Sequence, residues 1–303
     1  MKKTILFFLL ILNVFSFCQA QEWMTSLDVA KRLALVQNKL IFAIWEDTTL
    51  KTYPVLIDDY NGKPLIVNLF DNESLNEIIW NHFVPVIISE SNFPDLYDEI
   101  KDKRKESYIL KFRDDSIKIM DVNGNILNTN SSGLNFELLD ISSFIAKYSI
   151  DTSFLKPELI SYSTGGNFFT SYYLAAKYVD FANFLEKEIR TEIIELSKIY
   201  LDEANDHMES GDEQNKMIST QAIKLLRIKQ NLVLNKPKKV LRQLRKINNS
   251  EIYSFNQSLF NFLHYTAFEL LNDKKNANLW KNKVSLLDLK KAELLIKNSL
   301  QEF

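Results

Sequence analysis

Apolar residues change their rhythm once along this chain, near residue 150. Before that point, short and almost unbroken apolar runs alternate with helical stripes. Residues 40–45 (LIFAIW) form a short, almost wholly apolar run, which predicts a strand covered on both faces, and 64–70 (PLIVNLF) and 83–89 (FVPVIIS) read as further strands. Leu27, Ala30, Leu33, Ala34 and Val36 recur at helical spacing behind Thr25 or Ser26, which predicts a capped helix through about residue 38. Asn72 is placed to cap a second helix, to about residue 82. Residues 48–57 read as the start of a helix that Pro54 interrupts or kinks. Segments 117–121 and 125–127 flank Asn123-Gly124, the strongest short hairpin signal. Leu138, Ile141, Phe144, Ile145 and Tyr148 then mark one face of a helix over 136–148.

Beyond this point the strand signal disappears. Residues 149–167 carry Pro157, a serine-rich run and Gly165-Gly166, which predicts a linker. Helical spacing returns over 168–207, with Phe169, Tyr172, Tyr173, Ala176, Val179 and Phe181 crowded at its start and a strong amphipathic stretch at 192–204. A turn at 209–212 and further helices over 217–234, 238–247, 252–271 and 284–300 follow, and Pro237 is well placed to open the helix after Asn235-Lys236. The predicted fold class is an α/β unit over 21–148 followed by an all-α unit over 168–303. The helix pair at 213–247 has nearly the length of a tetratricopeptide unit, roughly 34 residues. The second half resembles such arrays, although three copies of their small-and-aromatic signature are absent. Arrays of this kind serve as binding surfaces or braces.

The first twenty residues have the anatomy of a secretory signal. Lys2 and Lys3 precede an apolar stretch over 5–17 that only Asn13 and Ser16 break, and Cys18-Gln19-Ala20 predicts cleavage before Gln21. The stretch falls short of the roughly 20 residues a spanning helix needs. Phe17 stands where a lipoprotein signal wants a small residue before Cys18, which argues against acylation. The expectation is an exported protein, periplasmic or extracellular, with no transmembrane span in the mature chain. Cys18 is the one cysteine in the sequence, so the mature part has no thiol and its stability must come from its core. A formal charge of −2 favours neither nucleic acid nor a membrane surface.

Four pieces of the first half share the order of the thioredoxin superfamily: the helix that ends in Asn38-Lys39, the strand LIFAIW, Asn81 to Val86 (NHFVPV), and IMDVNG at 119–124. The pattern resembles secreted or periplasmic thioredoxin-like proteins in particular. The resemblance implies a cleft near Trp45. If Trp45 matches the tryptophan that ends the family's first core strand, the redox pair falls on Thr49 and Thr52. A hydroxyl cannot form a disulfide, so exchange chemistry is impossible there. The family's cis-proline would lie near Asp115-Ser116, where no proline stands, and 53–70 reads as an insertion. The resemblance therefore implies the scaffold without its redox activity, with Trp45, Thr49, Thr52 and Asp115 marking the relic cleft.

Other chemistry is sparse. There are three histidines. His82 and His264 read as packing or surface residues. Glu203 and His207 lie one helical turn apart, without further ligands near in sequence, so no metal site is expected. Hydrolase, phosphate-loop and dinucleotide motifs are missing, and no cofactor is expected. The cluster Phe168, Phe169, Tyr172, Tyr173 and Tyr178 reads as a core seam rather than a groove. Charge carries one clear signal. Residues 214–250 contain no acid and many cations, among them Lys236, Lys238, Lys239, Arg242, Arg245 and Lys246. The plain reading is a solvated helix surface, and the functional one is an anion- or partner-binding face. Few aromatics interleave with it, so nucleic acid is not expected. The expected function is an exported, non-redox scaffold that binds a protein partner in the cell envelope or an acidic ligand. The alternatives are an envelope hydrolase and an accessory to a thiol-disulfide oxidoreductase.

Overall fold

The computed structural model describes residues 21–58, 61–130, 138–210 and 213–301. The chain has an α/β part with two small mixed sheets, followed by a helical part. The all-apolar run Leu40–Trp45 is strand β1, buried along its whole length because it lies at the centre of the first sheet. It follows helix α1 (Leu27–Gln37), which Ser26 caps by accepting the Val29 amide, and which Asn38 ends in the left-handed conformation. Strand β4 (Phe83–Ile88) pairs parallel with β1, from Leu40 opposite Phe83 to Trp45 opposite Ile88. Strand β5 (Lys118–Met120) pairs antiparallel with β1 on its other side. Single bridges extend both edges: Met24 lies parallel to Val86, and Ile126 antiparallel to Met120. The lateral order is therefore Met24, β4, β1, β5, Ile126.

Residue 126 contributes only a bridge where the pattern predicts a strand. Side chains take the backbone groups a ladder would use. Asp121 Oδ1 accepts the amides of Asn123 and Asn125, both at 2.9 Å, and Asn128 accepts from Ile119 N while donating to Ile117 O. The Asn-Gly turn itself forms as expected, with Gly124 at φ +87°.

Residues 48–57 depart from the predicted helix. The short helix α2 (Glu46–Thr49) ends early, and β2 (Pro54–Asp58) forms a hairpin with β3 (Pro64–Asn68). Asn68 closes its open end by accepting the Tyr53 amide. Val55 is the fully buried anchor of β2, and Pro54 fits because it stands at the strand's first position. A two-residue strand, β6 (Leu139–Asp140), adds parallel to β2 and leads into α6 (Ile141–Tyr148), capped by Asp140. Phe136, where the sequence reading starts that helix, lies outside the described residues. Helices α3 (Glu73–His82), capped by Asn72 as predicted, α4 (Phe93–Ile100) and α5 (Glu106–Arg113) complete the α/β part.

The stretch read as a linker carries a helix, α7 (Lys156–Ser163), with Pro157 in its first turn. Leu155 and Leu159 are buried, and Thr152 N donates to Asn38 O, so this segment is packed onto the end of α1. Helices α8 (Phe168–Phe181) and α9 (Lys187–Asp206) then divide the predicted 168–207 span. The buried Arg190 guanidinium holds the break, donating to the carbonyls of Ala182, which caps α8, and Leu185, which lies between the two helices. Helices α10 (Glu213–Val233), α11 (Pro237–Leu244), α12 (Gln257–Leu270), α13 (Lys274–Lys281) and α14 (Leu286–Gln301) follow. Three asparagines, Asn38, Asn235 and Asn272, end helices with positive φ. In each case the next amide reaches back to a last-turn carbonyl: Lys39 to Ala34, Lys236 to Asn231 and Asp273 to Phe268. No described helix is long and apolar enough to cross a membrane.

Candidate functional site

Two places carry the residues singled out by the sequence, and they lie in different parts of the chain. The first is the carboxyl end of β1. Trp45 is buried there, and its indole donates to Phe112 O at 2.7 Å while the two rings meet edge to face. The Thr48 hydroxyl reaches Asp115 O at 3.4 Å, and Lys51 lies 3.9 Å from the Asp115 carboxylate. Trp45, Asp115 and the turn after β1 are thus brought together. Thr49 spends its hydroxyl locally on Glu46 O, and Thr52 is exposed.

The direction of α2 matters for any chemistry here. Thr49 is its last residue, so the helix presents its carboxyl end to this position, and Glu46 and Asp47 occupy its first turn. A helix amino end would stabilise a thiolate, whereas a carboxyl end beside carboxylates opposes one.

Under Trp45 lies a polar cluster that sequence reading missed. Lys118 is fully buried on β5, and its ammonium donates to Asp114 O (2.5 Å) and Ser116 O (2.9 Å), 5.8 Å from the Trp45 ring centre. Lys111, almost as buried, donates to Ser116 Oγ, which in turn donates to Asp114 Oδ1 at 2.6 Å. Burial lowers the pKa of both lysines. Lys118 falls to about 8, with Asp114 opposing the shift. The cluster fills the end of the sheet and satisfies its own polar atoms. No sequence signal distinguishes these lysines from solvated ones, because they are isolated cations beside an acidic turn.

The second place is α11. Val240, Leu241 and Leu244 bury its inner face; Lys238, Lys239 and Arg242 on the helix, Lys236 and Arg245 at its two caps and Lys246 just beyond it are all exposed. None of the six makes an ion pair among the described residues. Some cations elsewhere in the helical part are paired: Lys229 and Lys291 both hold Asp180, at 2.5 and 2.9 Å, and Arg227 holds Asp202.

The two parts meet through buried polar contacts. Asp121 accepts the hydroxyls of Tyr200 and, at 3.2 Å, Tyr178. Glu203 accepts from Arg104 (3.1 Å) and from Tyr162 (2.7 Å), so both of its oxygens are engaged in joining the two parts. Lys147 and Tyr148 both reach Glu192. Desolvation raises the pKa of Asp121 and pushes Tyr178 and Tyr200 well above the ordinary tyrosine range. His264 stacks face to face on Trp280, with ring centres 4.0 Å apart, and edge-on to Phe260. Burial, with Lys283 adding to it, lowers its pKa to about 4, which suits a packing role. The aromatic cluster of α8 is split: Tyr172 and Tyr178 are buried, whereas Phe169 and Tyr173 are about half exposed.

No protein-family model, curated protein or solved structure matches this chain.

Proposed function

We propose that this protein is an exported, non-redox thioredoxin-like scaffold whose helical part binds a protein partner in the cell envelope, or another acidic ligand, through α11. The lateral order Met24, β4, β1, β5, Ile126, with a parallel central pair and an antiparallel neighbour, supports the thioredoxin-like reading. Threonines at 49 and 52, at the carboxyl end of α2, support the loss of redox chemistry. The observation that carries the binding role is the set of six exposed cations, with no ion pair among the described residues, on α11 and the residues that flank it. Unpaired charge of one sign raises encounter rates with an oppositely charged surface and fixes its register.

The test uses the mature chain as crosslinking bait in the native envelope, beside a variant carrying Lys238→Glu, Lys239→Glu, Arg242→Glu and Arg245→Glu. A partner captured by the parent and lost by the folded variant supports the reading. Equal capture by both, or disulfide reduction by the purified protein, overturns it.

A further inference from the structure

Helix α10 runs past two adjoining concavities that no sequence motif marks. The one nearer its start has a volume of about 520 Å³ and is mainly apolar, lined by Phe168, Phe169, Met208, Ile218 and Phe255. The other, about 690 Å³, holds Lys216, Lys224 and Lys246 with Tyr253. Lys216 borders both, so they form one continuous groove with an apolar lobe and a cationic lobe. Phe169 and Phe255 are 57% and 53% exposed, a large unburied aromatic surface for a chain that buries most of its rings. The three lysines make no ion pair among the described residues. Glu213 and Glu251 also border this lobe, so its three cations stand against two carboxylates and leave an excess of one positive charge. Lys246 follows the carboxyl end of α11 and is one of its flanking cations, so the groove continues the cationic surface described above.

We infer that this groove docks an extended peptide segment that places one or two aromatic or branched aliphatic side chains in the apolar lobe and acidic residues in the cationic lobe. This rests on the interaction role proposed for α11 and specifies the partner's chemistry. Charge complementarity selects the acidic half of the ligand, and the exposed phenylalanines select the apolar half. A uniform polyanion leaves the apolar lobe unfilled. From Lys216 to Lys224 the helix advances about 12 Å, the reach of roughly four residues of extended chain, which sets the size of the motif.

The experiment measures fluorescence anisotropy of the mature protein with four probes. The first is a labelled peptide of two phenylalanines followed by four glutamates in a serine-glycine frame. The second replaces both phenylalanines with serine, the third replaces the glutamates with lysine, and the fourth is heparin as competitor. The protein variants are Phe255→Ser and the pair Lys224→Glu with Lys246→Glu, all at exposed positions and checked by circular dichroism. The expected result is saturable binding of the first peptide, weakened about tenfold or more by either peptide change and by either variant. No binding of the first peptide, equal binding of the serine peptide, or insensitivity to Phe255→Ser overturns the inference. If envelope capture depends on Arg242 and Arg245 while the peptide does not bind, the groove is refuted and the interaction role of α11 stands.

Discussion

Asp121, in the Asn-Gly turn of the α/β part, accepts a hydrogen bond from the hydroxyl of Tyr200 on α9, seventy-nine residues later. The carboxylate is fully buried, and its other partners are the Tyr178 hydroxyl and two turn amides. Asn123 and Asn125 donate to the same Tyr200 oxygen, at 2.7 and 3.1 Å. One turn thus holds its own conformation and fastens the helical part.

Removing the Tyr200 hydroxyl strands several buried partners at once. Tyr200→Phe should destabilise the protein by about 1–3 kcal/mol, the range for leaving buried polar groups unpaired. Urea unfolding of the purified protein reads this directly. An unchanged midpoint would mean that the turn is not energetically coupled to α9.

His264 predicts a pH response. Its pKa is lowered to about 4 in the folded chain, against about 6.5 for the free side chain, so folding favours the neutral ring. The unfolded chain takes up its proton first as pH falls. The contribution is therefore fully present above pH 6.5 and lost as pH drops towards 4. Allowing for the ring's partial exposure, the loss should be of order 1–2 kcal/mol. His264→Phe should flatten the fall of the melting temperature over this window relative to the parent. Parallel curves for the two proteins would remove His264 as the cause.

Asn272 ends α12 with φ 56° and is exposed. Asn272→Gly should leave stability within about 0.5 kcal/mol, whereas Asn272→Val should cost about 1–2 kcal/mol, because a β-branched residue resists the left-handed region. Thermal melts of the pair test it, and equal midpoints would contradict the cap argument.

Introducing thiols after β1 should not create redox activity. Thr49→Cys with Thr52→Cys would place a thiol at the carboxyl end of α2, a helix whose first turn carries Glu46 and Asp47, where the thiolate gains nothing from the helix. An insulin-reduction assay should stay at background, and the thiol at position 49 should titrate at or above the usual value of about 8.5. Measurable turnover would refute this account of the site.

The elements whose environment is set by near neighbours were legible in the chain. LIFAIW could only be a covered strand, and Asn72, Ser26 and the Asn-Gly pair each act within a few residues. The misread segments are those where distant groups intervene. Residues 54–58 form a strand because Pro64–Asn68 lies opposite, and the 168–207 helix is split by a guanidinium eight residues beyond its break. The basic residues of α11 were visible as a run without acids, but their freedom from partners was not, since an acid from any helix could have met them.

Local periodicity and capping chemistry therefore determined, from the sequence alone, an α/β part followed by helices, and composition the cationic stretch at 236–246. Only the tertiary structure decided that Lys111 and Lys118 are buried beside Trp45, that Asp121 binds Tyr178 and Tyr200, and that Phe169 and Phe255 remain exposed next to Lys216. The physical reason is that burial and pairing depend on what long-range packing brings near a side chain. The same lysine is solvated on one face and desolvated on another, and its neighbours in sequence do not say which.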